Sequence, residues 1–214
     1  MADDLDASPL DVRAFIAARL PLQPPPDVPE VRLHLAEPRT GLHRLARQVG
    51  PSFGVPYWAF AWAGGVALAR YVLDHPETVR GRRVLDFGTG GGLVAIAAAQ
   101  AGAERVEAAD LDPMALVAAR MNADANGVVV ATRLRAGASD ADLICAGDVF
   151  YDLSAARASL AFLDERRAAG AGVLIGDPWR VDLPTSRLRL IEGCAVRDFG
   201  GGKPIRAGVF TLAG

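Results

Sequence analysis

The chain has 214 residues, 51% of them hydrophobic and 22% charged, with a formal net charge of -2. That is enough for one well-buried domain, and the near-balanced charge gives no electrostatic footprint for nucleic acid. No apolar run reaches the roughly 18 residues of a membrane span, and Cys145 and Cys194 stand alone without metal-ligand spacing, so no metal is expected.

The N-terminal stretch MADDLDASPL is acidic and lacks an apolar core, so neither a secretory signal nor a basic transit peptide is expected and the cytoplasm is the expected compartment. Lys203 is the only lysine; arginine carries the rest of the basic charge, and with the abundant alanine this suggests a GC-rich bacterial genome. SPLDVRAFIAARL predicts a short helix with Ser8 as N-cap and Pro9 at the first helical position. The proline-rich PLQPPPDVPE breaks it, and VRLHLAE alternates apolar and polar residues as a half-buried strand does. Residues 1–55 are expected to be an extension packed on the core of a single domain covering 1–214.

From Arg82 onward strand and helix patterns alternate. RRVLDFG predicts a buried strand and GGLVAIAAAQAG a helix closed by Gly102; RVEAAD is the second strand. DPMALVAARMNADANG follows as a helix with Asp112 as N-cap, Pro113 inside it and Gly127 past its end. VVVATRL and DLICAGD are strands three and four, LSAARASLAFLDERRAAG is a helix ending at Gly170, and GVLIG is strand five. CAVRDF and IRAGVFTL flank GGGKP as an antiparallel hairpin. The expected fold class is therefore α/β: a Rossmann-like sheet of seven strands, helices on both faces, with a C-terminal hairpin.

Between Gly88 and Gly92, four of five residues are glycine, placed at the end of a strand where open α/β sheets bind ligands. Two acids sharpen this signal: Asp86 directly before the loop and Asp110 at the end of strand two, where a carboxylate can take two ribose hydroxyls. A carboxylate at Asp86 would repel a dinucleotide's pyrophosphate and attract a cationic amine. S-adenosylmethionine fits, with its α-ammonium near DFGTG and its ribose on Asp110. The expected cofactor-binding residues are Trp62, Asp86, Gly88, Thr89, Gly90, Gly92 and Asp110. Trp62, from PYWAFAWAGG, would offer its ring to the sulfonium. GDVFYD, after strand four, projects Asp148 and Tyr151 toward the acceptor, and Asp152 can instead cap the next helix. Asp177 and Trp179 of GDPWR either line the cleft or shape it. His34, His43 and His75 have no evident partners and are expected at the surface.

PYWAFAWAGGVALARYVL, VLDFGTGGGLVAIAAA, ADLDP, GDVFYD and VLIGDP together resemble the electron transfer flavoprotein β-subunit lysine methyltransferases. These belong to the seven-β-strand class I enzymes of methyltransferase family 16. The resemblance runs from about Val28 to Gly214 and implies lysine methylation of that flavoprotein's β-subunit, with S-adenosylmethionine as cofactor. It also implies that Asp148 and Tyr151, as the D-x-x-Y motif, border the lysine channel and act as the catalytic pair, with Asp148 capturing and orienting the lysine. A monomer that binds neither nucleic acid nor membrane is expected. RLRAGASDAD offers no clear adenine contact. Competing readings are methylation of ribosomal protein L11 or of a small amine such as nicotinamide, an NAD(P) oxidoreductase, and a binding module without catalysis.

Overall fold

The computed structural model describes residues 11–50, 54–200 and 202–213. Helix α1 (Val12–Arg19) starts later than the sequence pattern suggests: Asp11 is its N-cap and accepts the Ala14 amide, while Ser8 and Pro9 lie outside the described residues. The predicted VRLHLAE strand contracts to β2 (Leu33–His34), paired antiparallel with β1 (Leu22–Gln23). Its alternation survives, because Val31, Leu33 and Leu35 are all buried. Two helices not assigned from the sequence follow: α2 (Leu42–Val49) and α3 (Ala63–Asp74).

The rest of the chain builds a seven-stranded sheet from β3 (Arg83–Phe87), β4 (Arg105–Asp110), β5 (Ala131–Leu134), β6 (Leu143–Gly147), β7 (Gly172–Asp177), β8 (Leu188–Val196) and β9 (Ile205–Leu212). The order is β5-β4-β3-β6-β7-β9-β8; the first five strands are parallel, and β9 runs antiparallel to both β7 and β8. Strand three is shorter than VVVATRL suggested: it starts at Ala131, and Val129 is exposed. Helices α4 (Leu93–Gln100), α5 (Pro113–Ala125) and α6 (Leu153–Ala168) complete the expected alternation.

Successive strand residues point to opposite faces, and the two cores divide accordingly. Val84 and Cys145 join the apolar cluster under α3 and α4, whereas Leu85 and Ile144 join the one under α6. Leu93 to Ala98 are all buried, so α4 carries no polar stripe. A third cluster seats Ile16, Leu20 and Leu45 against Trp58 and the α5 alanines Ala115 and Ala118, while Val28, Val31 and Leu33 pack into the α3–α4 core.

The histidine expectation needs correction. His34 is part-buried with Nδ1 2.8 Å from Asn122 Oδ1, and His75 lies 3.2 Å from a Glu192 oxygen; His43 is exposed. Asn122 and Glu192 come from distant segments, which spacing along the chain does not reveal; His75 also lies 3.6 Å from the nearby Glu77.

Candidate active site

Strand order reverses at β3, which lies between β4 and β6. The carboxyl ends of strands flanking such a switch open a crevice. A cavity of about 470 Å³ occupies it, and its two ends are built differently.

The first end is the glycine turn after β3. Gly88, Gly90 and Gly92 have positive φ (71°, 52° and 86°), a conformation that costs a residue with a Cβ and not glycine. Asp86 is buried at its floor, where Oδ2 accepts the Thr89 hydroxyl (2.6 Å) and the Ala95 amide (3.0 Å). Both bonds fall on Oδ2, and Oδ1 has no partner among the described residues, so one oxygen is left for a ligand. Burial pushes the Asp86 carboxyl up to about 6, against the pull of those two bonds. Asp110 closes β4 and spans the turn: its oxygens accept the amides of Gly90 and Asp112, both at 2.9 Å. Each keeps a further lone pair.

Two of the predicted glycine-turn residues have other duties. Thr89, though it lines the cavity, spends its hydroxyl on Asp86. Gly92 does not line the cavity; it is the left-handed N-cap of α4, where a Cβ would sit 3.1 Å from Ala119 on α5. Gly91, not among the residues expected from the sequence, lines it instead. At the far side of this end lie Leu111, Asp112 and Ala136.

The second end gathers groups from four connections. Asp148 follows β6 in a left-handed conformation (φ 56°), an uncommon state for a residue with a side chain and one that tends to mark functional sites. Its Oδ2 accepts the Gly65 amide at 2.6 Å, and its Oδ1 accepts Nη2 of Arg180 at 2.6 Å. Burial raises its carboxyl above the ordinary range, while Arg180 and the Gly65 amide pull the other way. Asp148 therefore does not meet a lysine as an unpaired charge: Arg180 already holds one oxygen.

Gly65 is in the first turn of α3, whose N-cap Trp62 provides no side-chain acceptor. Asp148 and Asp198 supply it from elsewhere, Asp198 Oδ1 accepting the Ala63 amide at 2.9 Å. Two carboxylates at a helix N-terminus are favourable, because the unpaired amides and the dipole carry positive charge there. The helix comes this close only because Gly64 and Gly176 face each other; a Cβ on Gly64 would lie 2.3 Å from the Gly176 carbonyl oxygen.

Trp62 lines the cavity and donates its ring N–H to the Tyr57 carbonyl at 2.8 Å. The cation over its ring is the Arg180 guanidinium, 5.7 Å from the centroid. An aromatic rim surrounds it: Phe199 at 4.5 Å, Tyr57 at 5.6 Å and Phe60 at 6.0 Å between centroids, with Tyr151 a further 5.2 Å from Tyr57. Tyr151 is about half exposed at the mouth. Asp152 caps α6 by accepting the Ala155 amide, as expected. Asp177 and Trp179 shape the wall without lining it: Asp177 Oδ1 accepts the Arg180 amide, and Trp179 packs edge-on against Phe210.

Among the described residues, the charged groups lining the cavity are Asp86, Asp110, Asp112, Asp148 and Arg180. Four carboxylates against one guanidinium fit a ligand that brings positive charge and oppose a pyrophosphate. The seven-stranded sheet with its antiparallel hairpin, the glycine turn and the paired acids Asp86 and Asp110 define a class I methyltransferase.

Comparison with known proteins agrees and goes further. Residues 68–148 match the profile of the ribosomal protein L11 methyltransferase (PrmA) family. The electron transfer flavoprotein beta subunit lysine methyltransferase of Xenopus laevis is 41% identical over 174 residues, covering 78% of this chain and 70% of that protein. Its human counterpart is 39% identical over 158 residues, 71% of this chain and 60% of the human protein. The ribosomal protein L11 methyltransferase of Pseudomonas aeruginosa is 53% identical over only 62 residues, 29% of this chain and 21% of its own length. A candidate RNA methyltransferase from Pyrococcus horikoshii shares the fold with a TM-score of 0.58 at 14% identity, covering 76% of this chain and 90% of that one. The chain belongs to the electron transfer flavoprotein β-subunit lysine methyltransferase family.

Proposed function

We propose that this chain uses S-adenosylmethionine to methylate a lysine side chain on the β-subunit of an electron transfer flavoprotein. The excess of carboxylates in the cavity carries the cofactor assignment, and family membership supports the substrate. Asp86, through its unengaged Oδ1, would hold the α-ammonium, and Asp110 the ribose hydroxyls, with Gly88, Gly90 and Gly91 letting the backbone approach. When bound, the cofactor supplies an electrophilic methyl group on a cationic sulfur.

The remaining work falls to the chain's own residues at the second end. Tyr57 and Tyr151 flank the mouth and can hold the alkyl stem of a lysine, and Trp62 and Asp148 line the interior. Fixing the amine in line contributes by orientation. The amine must also be neutral: a free lysine has a pKa of about 10.4, so at pH 7 its neutral form lies about 4.6 kcal/mol uphill. An apolar wall helps, because burial disfavours the ammonium.

The test is mass spectrometry of the flavoprotein β-subunit from the same organism, with and without this enzyme and the methyl donor. A gain of 14 Da steps on lysine is expected (about the mass of one CH₂); an unmodified subunit overturns the substrate. A second reading, ribosomal protein L11, is favoured by the family match over residues 68–148. Labelled cofactor in a lysate separates the two, because label then enters a different protein band. A thermal shift with S-adenosylhomocysteine and none with NAD is expected in either case.

A further inference from the structure

Methyl transfer to lysine, as proposed above, leaves a conflict at Asp148. A lone carboxylate facing the amine would stabilise the ammonium form, which cannot attack. The structure removes the conflict with a residue outside the D-x-x-Y motif. We propose that Arg180 is a positioning residue that keeps Asp148 neutralised, so that the acceptor end admits the lysine amine in its uncharged form.

Four observations support this. Nη2 of Arg180 lies 2.6 Å from Asp148 Oδ1, and the pair is largely withdrawn from water, with side-chain exposures of 24% and 10%. The guanidinium is held by Asp148 and lies 5.7 Å from the Trp62 ring centroid, with Nε buried and without a partner among the described residues, and the residue's backbone amide is anchored on Asp177 Oδ1 at 2.7 Å. Arg180 lines the cavity itself, so its charge is felt there. Asp148 is also held by the Gly65 amide, so both its oxygens are engaged before any substrate arrives. With the Asp148 charge paired, an approaching amine meets no free carboxylate that would stabilise its ammonium form, and burial then disfavours that form. Its proton leaves to solvent.

The other titratable groups at this end are Asp177 at the end of β7, Asp198 from the β8–β9 connection, Asp152 beside Tyr151, and the phenols of Tyr57 and Tyr151. Asp198 accepts the α3 amide of Ala63 through Oδ1; Asp177 accepts the Arg180 amide through Oδ1, its Oδ2 is buried without a partner among the described residues, and burial raises its carboxyl to about 6. Asp86 and Asp110 face the cofactor end. Arg180 is thus the one cation among the described cavity-lining residues.

The experiment compares wild type, Arg180→Gln and Arg180→Lys with the flavoprotein β-subunit as substrate. For Arg180→Gln, kcat at pH 7 falls about tenfold with KM for the subunit unchanged or lower, and the alkaline rise of the rate moves up by about one pH unit. Arg180→Lys keeps the charge and restores the wild-type midpoint. A second readout needs no turnover: binding of the subunit to enzyme loaded with S-adenosylhomocysteine, followed by calorimetry at pH 9 in buffers of different ionisation enthalpy. A free lysine is still protonated there. Wild type and Arg180→Lys are expected to release most of one proton on binding, and Arg180→Gln clearly less. Equal proton release and equal pH midpoints in wild type and Arg180→Gln would overturn the proposal. So would a faster Arg180→Gln enzyme at pH 7, which would make the arginine a mere occupant of the lysine's seat. If Arg180→Gln does not fold, a shifted midpoint in Arg180→Lys overturns it equally. A wild type inert on the subunit instead sinks the lysine reading, and the role of Arg180 with it.

Discussion

At the cofactor end of the cavity, Asp86, Thr89, Gly90 and Ala95 all belong to one strand–turn–helix unit, and one further carboxylate, Asp110, ties it to the neighbouring strand. At the acceptor end, Trp62, Asp148, Arg180 and Asp198 come from four separate connections and meet at the N-terminus of α3. The first arrangement depends on local backbone geometry and one buried charge. The second depends on a buried ion pair and on close packing of α3 against the sheet. A change at one end should therefore leave the other largely intact, and that separation can be tested.

The largest effect is expected from Asp86→Ala. It removes the charge that would meet the α-ammonium and strands the Ala95 amide and the Thr89 hydroxyl. A charge-assisted hydrogen bond is worth about 1.5–3 kcal/mol, so affinity for S-adenosylhomocysteine should fall about 100-fold by calorimetry. Unchanged affinity would remove Asp86 from the cofactor site.

Asp148→Ala should act on the other end. Breaking one partner of a buried pair costs about 3–5 kcal/mol, here about 3 kcal/mol because Arg180 is partly exposed. Together with the lost acceptor for Gly65, this should lower the melting midpoint by about 9 °C and abolish most methyl transfer, while S-adenosylhomocysteine affinity stays within about threefold. If cofactor affinity fell as far as activity, the two ends would not be separable.

How much of this was legible in the sequence follows from the same division. The parallel sheet, the hairpin, the glycine turn and both acids could be read because hydrophobic period and turn chemistry are local. Asp112 and Asp152 behaved as caps for the same reason. Helix α3 escaped notice because it opens with Gly64 and Gly65, poor helix formers that are needed where the helix approaches Gly176. Arg180 escaped because nothing in GDPWR marks which distant carboxylate the guanidinium will reach. The rim aromatics Tyr57, Phe60 and Phe199 are ordinary in sequence and become neighbours only once the β8–β9 connection folds over α3.

A pH series sharpens the picture of the cofactor end. The Asp86 carboxyl is raised to about 6, so it is ionised above that value and protonated below it. The ligand's ammonium favours the ionised form, so affinity should rise with pH through this window and fall on acidification. At pH 5 only about a tenth of the sites carry the charge, so S-adenosylhomocysteine should bind about tenfold more weakly than at pH 7. Asp86→Asn should be weaker throughout and lose this dependence. A wild-type affinity that is flat between pH 5 and 7 would mean that the charge on Asp86 is not what the ligand meets.

The smallest effect is expected at the rim. Phe199 lies against Trp62 with ring centroids 4.5 Å apart and planes tilted by 57°, and it is 56% exposed, so it adds aromatic contact without closing the core. Such pairs contribute about 0.5–1 kcal/mol, and Phe199→Ala should raise KM for the protein substrate about threefold with kcat and cofactor affinity unchanged. Its backbone supplies an internal control. Phe199 sits at φ 54°, the left-handed region that glycine adopts without penalty. Phe199→Gly should therefore melt higher than Phe199→Ala by the few degrees that about 1 kcal/mol produces, yet show the same rise in KM. If KM followed the melting temperature instead, Phe199 would be holding the Asp198 cap on α3 and not contacting the substrate.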